Sequence, residues 1–191
     1  MNGVRAFVCI ELPDNARSEL MRVLGLVASI RAPVRWVAHM NLHLTLKFLG
    51  SISTDVVTEV SRSMRAVALG TPLFTMRLAG TGAFPNWNRP RVLWVGAQGD
   101  GALLNLQSNI DDTLMSVGFA PEARVYNPHI TIGRVKASGG VERVVDLLKE
   151  HVDDEFGEVQ VRHVTLMRSD LTPGGAKYLA LERFRFIRSP E

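Results

Sequence analysis

A shift of 86 residues lays one part of this chain on another, and that limits its possible folds more than any other feature. The tetrapeptide His43-Leu44-Thr45-Leu46 recurs as His129-Ile130-Thr131-Ile132 (129 − 43 = 86). The same shift puts Arg5 on Arg91 (91 − 5 = 86) and sets Leu20 on Leu106 within the helical stretches that follow. Identity is thin, but the order strand, helix, His-x-Thr strand holds at one constant offset. A duplicated α+β unit with pseudo-twofold symmetry is the expected result, and it would bring the two tetrapeptides together across a central groove. Both sit in strand-like runs, so His and Thr, two residues apart, share one face while the aliphatics take the other.

The remaining signals fill in the two halves. Residues 4–12 read as an apolar strand, and Pro13-Asp14-Asn15 opens a helical pattern to about residue 30. A short strand at 34–37 precedes the first His-x-Thr strand at 42–49. Ser53-Thr54-Asp55 caps a second helix reaching about residue 69, ended by Gly70 and Pro72. Strands at 74–78 and 91–97 surround a loop, 80–90, rich in Gly, Pro and Asn. A third helix spans about 101–117 and stops at Gly118. After the second His-x-Thr strand and Gly139-Gly140 comes a short helix at 141–151. Two closing strands, 158–168 and 177–187, flank the turn Thr172-Pro173-Gly174-Gly175. Nothing is linker-like, so residues 1–191 are expected to form a single domain of two related halves.

Bulk properties exclude several classes. With 191 residues the chain can bury roughly 70% of its unfolded surface. Its 22 Lys and Arg against 19 Asp and Glu give a net charge of +3, and the pI is near 9.4. That balance permits an anionic substrate without demanding one. Cys9 is the only cysteine, which rules out a disulfide framework and suits a reducing compartment. Inside the apolar run Phe7-Val8-Cys9-Ile10 it reads as a buried structural thiol. Neither a signal peptide nor an apolar run near the ~20 residues of a membrane span is evident, so a cytoplasmic protein is expected.

The paired motifs carry the chemistry. Imidazole, with an unperturbed pKa near 6.5, can take or give a proton at neutral pH. Two such rings flanking one phosphorus can divide the labour, one activating the attacking oxygen and the other protonating the leaving oxygen. Thr45 and Thr131 would hold the non-bridging oxygens, and Arg134 could reach a phosphate. Strict alternation, however, places Arg134 opposite His129, so a twist or bulge is required. Lys47 is expected on the His43 face. The loop Phe84-Pro85-Asn86-Trp87-Asn88-Arg89 could stack a base, or close on the core as an apolar loop. His39, His151 and His163 offer no metal-ligand spacing, and no phosphate-binding Gly-x-x-x-x-Gly-Lys-Ser/Thr loop exists. A third match, His163-Val164-Thr165-Leu166, lacks the repeat context and reads as a structural or surface strand residue pair.

These residues resemble the RNA 2′,3′-cyclic phosphodiesterases, also described as 2′-5′ RNA ligases, of the two-histidine phosphoesterase superfamily. The likeness runs through Arg5-Ala6-Phe7-Val8-Cys9-Ile10-Glu11-Leu12, Asn41-Leu42-His43-Leu44-Thr45-Leu46-Lys47-Phe48-Leu49-Gly50, Gly82-Ala83-Phe84-Pro85, and Arg89-Pro90-Arg91-Val92-Leu93-Trp94-Val95-Gly96. It continues in Pro128-His129-Ile130-Thr131-Ile132-Gly133-Arg134, Met167-Arg168-Ser169-Asp170-Leu171 and Gly175-Ala176-Lys177-Tyr178. The resemblance implies an α+β bilobal fold of two mainly antiparallel sheets, helices outside, with both motifs lining a central cleft. It implies hydrolysis of a 2′,3′-cyclic phosphate on RNA to a 2′-phosphomonoester without metal or other cofactor, ligation being the reverse reaction. His43 would be the proton donor to the departing 3′-oxygen and His129 the base, with Thr45, Thr131 and Arg134 on the phosphate. A monomer is expected, since the pseudo-dimer is complete. The alternatives are an RNA-end binding module, or a phosphoesterase acting on 2′-5′ oligonucleotides or ADP-ribose cyclic phosphates.

Overall fold

The computed structural model describes residues 3–137, 139–172 and 175–187. Along the described chain the elements are β1 (Val4–Glu11), α1 (Asp14–Ala28), β2 (Val34–Trp36), β3 (His43–Ile52), α2 (Thr54–Leu69), β4 (Phe74–Phe84) and β5 (Val92–Gln98). Then follow α3 (Ala102–Met115), β6 (His129–Val135), α4 (Glu142–Lys149), β7 (Glu155–Val161), β8 (His163–Thr172) and β9 (Gly175–Arg185). Of the four α-helices among the described residues, only α2 opens on a side-chain cap; α1, α3 and α4 start at Pro13, Gly101 and Val141 without one. In α2 the Ser53 hydroxyl accepts from the Val56 amide at 3.4 Å. The stripe Val60, Met64 and Val67 then points inward, at the spacing of one helix face.

The strands follow the order β7-β4-β5-β6-β3-β1-β8-β9, with β2 added on β6. Neighbours along this order are antiparallel. Read outward from the middle, β5 answers β1, β4 answers β8 and β7 answers β9. The 86-residue repeat is thus a repeat in space, and the two antiparallel sheets expected are two four-stranded arms. One residue pair, Leu44 with Ile130, links them into a continuous path.

Because β3 and β6 meet at a single pair, other contacts help hold the arms together, first the three pairs that β2 of the first half makes with β6. The Tyr126 hydroxyl donates to the Thr45 carbonyl at 2.8 Å, and the Val37 amide donates to the Ile132 carbonyl at 2.9 Å. Lys47 of β3 forms a buried ion pair with Asp111 of α3 and donates to the Ala120 carbonyl at 2.9 Å. The core lies on one side of the sheet, where Leu44, Leu46, Ile130 and Ile132 meet Leu20 and Leu24 of α1 and Leu106 and Ile110 of α3. The opposite face carries a small separate cluster of buried Phe7, Cys9 and Met167, flanked by Tyr178 and Ala180.

Two stretches differ from expectation. The strand expected at 158–168 is two strands, β7 on β4 and β8 on β1, in opposite arms of the sheet. The buried positions Val159 and Val161 are odd and Val164 and Leu166 even, so the inward face switches across Arg162. β4 also runs on to Phe84, through part of the expected loop. It bends at Gly80, which has φ of +70° and an amide that donates to the Asp154 carbonyl at 2.8 Å. Of the turn at 172–175, Pro173 and Gly174 lie outside the described residues. Among the described residues no helix is long and apolar enough to cross a membrane.

Candidate active site

Leu44 and Ile130 are both fully buried on the helix side. The residues flanking them therefore turn to the other face of the sheet. His43 and Thr45 stand there beside His129 and Thr131, running in opposite directions across the junction of the arms. The structure thus brings both motifs to one place.

Each imidazole is oriented by the chain two residues before it. His43 Nδ1 lies 2.6 Å from the Asn41 carbonyl, and His129 Nδ1 lies 2.7 Å from the Asn127 carbonyl. A carbonyl only accepts, so Nδ1 carries the proton in both rings and Nε2 is the nitrogen left for chemistry. On His43 that nitrogen is 3.1 Å from Thr45 Oγ1, which donates to it when the ring is neutral. The two asparagines are themselves 86 apart (127 − 41 = 86), so the repeated unit is Asn-x-His-x-Thr. The sequence reading missed this extension, although the same offset displays it. Asn41 is pinned in turn, its Nδ2 donating to the Ala176 carbonyl at 2.8 Å.

A bulge resolves the position of Arg134. The β5–β6 register pairs Trp94 with Thr131 but Leu93 with Gly133, which leaves Ile132 as an extra residue. Beyond that bulge the alternation inverts, and Arg134 comes to the His129 face. The same slip occurs in β3, where Cys9 pairs Thr45 but Val8 pairs Lys47, leaving Leu46 extra. Leu46 and Ile132 are 86 apart (132 − 46 = 86), so both halves share the device. It also corrects the expectation for Lys47, which is not on the His43 face but buried toward Asp111. Phe48, the counterpart of Arg134 (134 − 48 = 86), is exposed at 68%. One half therefore presents a guanidinium where the other presents a phenyl ring. Arg35 of β2, not singled out from the sequence, pairs directly across from Arg134.

Aromatic rings wall both histidines. His43 lies 4.8 Å from Phe7 and 5.2 Å from Tyr178, while His129 lies 4.9 Å from Phe84 and 6.3 Å from Trp94. Burial lowers both imidazole pKa values, and the Arg134 charge lowers them further against the opposing carbonyl contacts. Burial likewise pushes the Cys9 thiol up, as a structural cysteine requires. Trp87, in the loop considered for base stacking, packs against the core.

His163 stands elsewhere. Its Nε2 is 3.5 Å from a Glu11 carboxylate oxygen. Glu11 accepts from Thr165 at 2.6 Å and from Arg183 at 2.7 and 3.0 Å. The third His-x-Thr thus grips a carboxylate. Among the described residues no three His, Cys, Asp or Glu side chains gather to hold a metal ion.

Two arms meeting at paired His-x-Thr strands define a two-histidine phosphoesterase, and comparison with known proteins agrees. A profile of the 2′-5′ RNA ligase superfamily matches residues 13–173, and the chain belongs to that family. It is 35% identical over 182 residues to the RNA 2′,3′-cyclic phosphodiesterase of Methanothermobacter thermautotrophicus, covering 95% of this chain and 98% of the relative. It is 36% identical over 163 residues to the protein of that name from Aeropyrum pernix, covering 85% and 92%. Among solved structures, Escherichia coli LigT complexed with 3′-AMP superposes with a TM-score of 0.76 at 28% identity, covering 97% of this chain and 99% of that one.

Proposed function

We propose that this protein hydrolyses the 2′,3′-cyclic phosphate at RNA ends to a 2′-phosphomonoester, by acid–base catalysis between His43 and His129 and with no metal. The observation that carries the reading is the pair of Nδ1–carbonyl contacts, at Asn41 and Asn127, which leave both Nε2 atoms available on one sheet face. The names of the relatives support the substrate class.

In this mechanism neutral His129 Nε2 takes a proton from water as its oxygen attacks phosphorus. Protonated His43 Nε2 gives a proton to the departing 3′-oxygen. Thr45, Thr131 and Arg134 hold the non-bridging oxygens, Arg134 through charge-assisted hydrogen bonds of about 1.5–3 kcal/mol each. Ligation takes the same path with a 5′-hydroxyl in place of water: His129 Nε2 takes its proton, its oxygen bonds to phosphorus, and the P–O3′ bond breaks as His43 protonates the 3′-oxygen, leaving a 2′-5′ linkage. Residues 1–191 act as one bilobal domain, a cytoplasmic monomer working on RNA.

Purified protein in excess chelator should open a 2′,3′-cyclic nucleotide and leave only the 2′-phosphate. His43→Ala and His129→Ala should each lower kcat on the order of 10²-fold or more. Turnover that vanishes with chelator and returns with zinc would reject the metal-free mechanism. Binding of RNA ends without any product from the wild type would favour a recognition module instead.

A further inference from the structure

A second group of cations stands three strands from His43. His43 pairs with Glu11 across β3 and β1. Continuing the register of β1 on β8 places Glu11 opposite His163, in keeping with their 3.5 Å approach, and His163 pairs with Arg185 on β9. These four residues form one cross-strand row. At its far end Arg162, His163 and Arg185 line a cavity of about 330 Å³ together with the apolar Leu73 and Phe186. Three strand spacings of about 4.8 Å put this cavity roughly 14 Å from His43.

The charges in and around the row are unequal in their commitments. Arg183 is bound by Glu11 through two hydrogen bonds, and Thr165 satisfies a further lone pair of that carboxylate. Arg162 and Arg185 are exposed, and among the described residues neither is paired with a carboxylate; Arg162 has only a long contact to Gln160 at 3.4 Å. Two guanidiniums unpaired among the described residues, beside an imidazole that can hydrogen-bond and in a cavity also lined by Leu73 and Phe186, suit a phosphodiester group with its sugar against the apolar side chains. A free-standing mononucleotide seated at the histidines cannot reach across three strands. A single-stranded RNA can.

We propose that Arg162, Arg185 and His163 form a subsite for an internal phosphate of the RNA strand, upstream of the cyclic end. This deepens and rests on the reading above that the histidine site takes RNA ends. The subsite makes the enzyme prefer oligonucleotides to mononucleotides, and it supplies part of the salt dependence of binding.

The test uses the full chain and the variant R162A/R185A. A single-stranded RNA decamer ending in a 2′-phosphate is titrated by fluorescence anisotropy across a salt series. In parallel, kcat/KM is measured for the cyclic-ended decamer and for a 2′,3′-cyclic mononucleotide. The variant should bind the decamer roughly tenfold more weakly, with a log K against log salt slope shallower by about 0.7, one single-strand phosphate contact's worth. The ratio of decamer to mononucleotide kcat/KM should fall by a similar factor, and R162K/R185K should restore most of it. An unchanged decamer affinity and slope would overturn the proposal, as would equal losses on both substrates. Should the wild type turn over neither substrate, the hydrolase reading fails, while the anisotropy arm still decides the subsite.

Discussion

At the scale of single residues, burial is the main cause that lowers the pKa of both histidines, and Arg134 adds to it. Its positive charge disfavours a second positive charge nearby and so pushes both imidazoles further in the direction that burial already takes them. Arg134→Gln removes that repulsion and should raise both values. In a two-histidine mechanism the acid limb of the pH profile reports the base, and the alkaline limb reports the acid. Both limbs should therefore move to higher pH while the maximum falls, because the phosphate loses its guanidinium. A kcat/KM profile on a 2′,3′-cyclic nucleotide checks this; a reduced maximum with unmoved limbs would confine Arg134 to substrate binding. The two histidines and their threonines were legible in the sequence because repetition at a fixed offset singles them out. The asparagines before them were not noticed, since their part is played by main-chain carbonyls that any residue carries.

Among elements, the bulges decide what the motifs can reach. Simple alternation misplaces Arg134 and Lys47, because one extra residue, Leu46 or Ile132, inverts every face that follows. A bulge leaves no compositional mark, so those placements could not be read from the pattern; the strands themselves could. The split at Arg162 was hidden for a related reason: continuous β-favouring residues conceal a change of inward phase. Elsewhere the helices and strands lie within a few residues of expectation, since caps such as Ser53 are local signals. The β4–β5 pair offers a test at this scale. Gly82 lies directly opposite Trp94, and a Cβ on it would occupy the space of the indole ring. Trp94 in turn flanks His129. Gly82→Ala should displace the ring, destabilise the fold by about 1–3 kcal/mol as overpacking does, and lower kcat. Chemical denaturation together with kinetics checks both arms; wild-type values in each would show that the indole is not fixed by this glycine.

For the whole molecule, the question is what keeps the two arms at one mutual angle when β3 and β6 meet at a single residue pair and only the three pairs of the short β2 on β6 reinforce that seam. Lys47 extends from β3 in the first half and Asp111 from α3 in the second, and both are buried. Asp111 also accepts from the Glu122 amide at 2.8 Å. Burial works to raise the Asp111 pKa, but Lys47 and that amide outweigh it and hold the carboxyl below its ordinary value. A buried ion pair is costly to break and cheap to replace. Lys47→Met, leaving an uncompensated carboxylate between the arms, should cost about 3–5 kcal/mol. Lys47→Met with Asp111→Leu should recover most of that loss, because two apolar chains fill the same space without a charge to desolvate. If the pair also fixes the angle between the arms, the double variant should regain stability without regaining kcat on a cyclic nucleotide. Urea denaturation of the two variants, with kinetics on the double one, separates these roles. A double variant as unstable as the single one would mean that Lys47 acts through its bond to the Ala120 carbonyl. Full recovery of kcat would place the control of geometry in the Leu44–Ile130 pair and the Tyr126 hydroxyl.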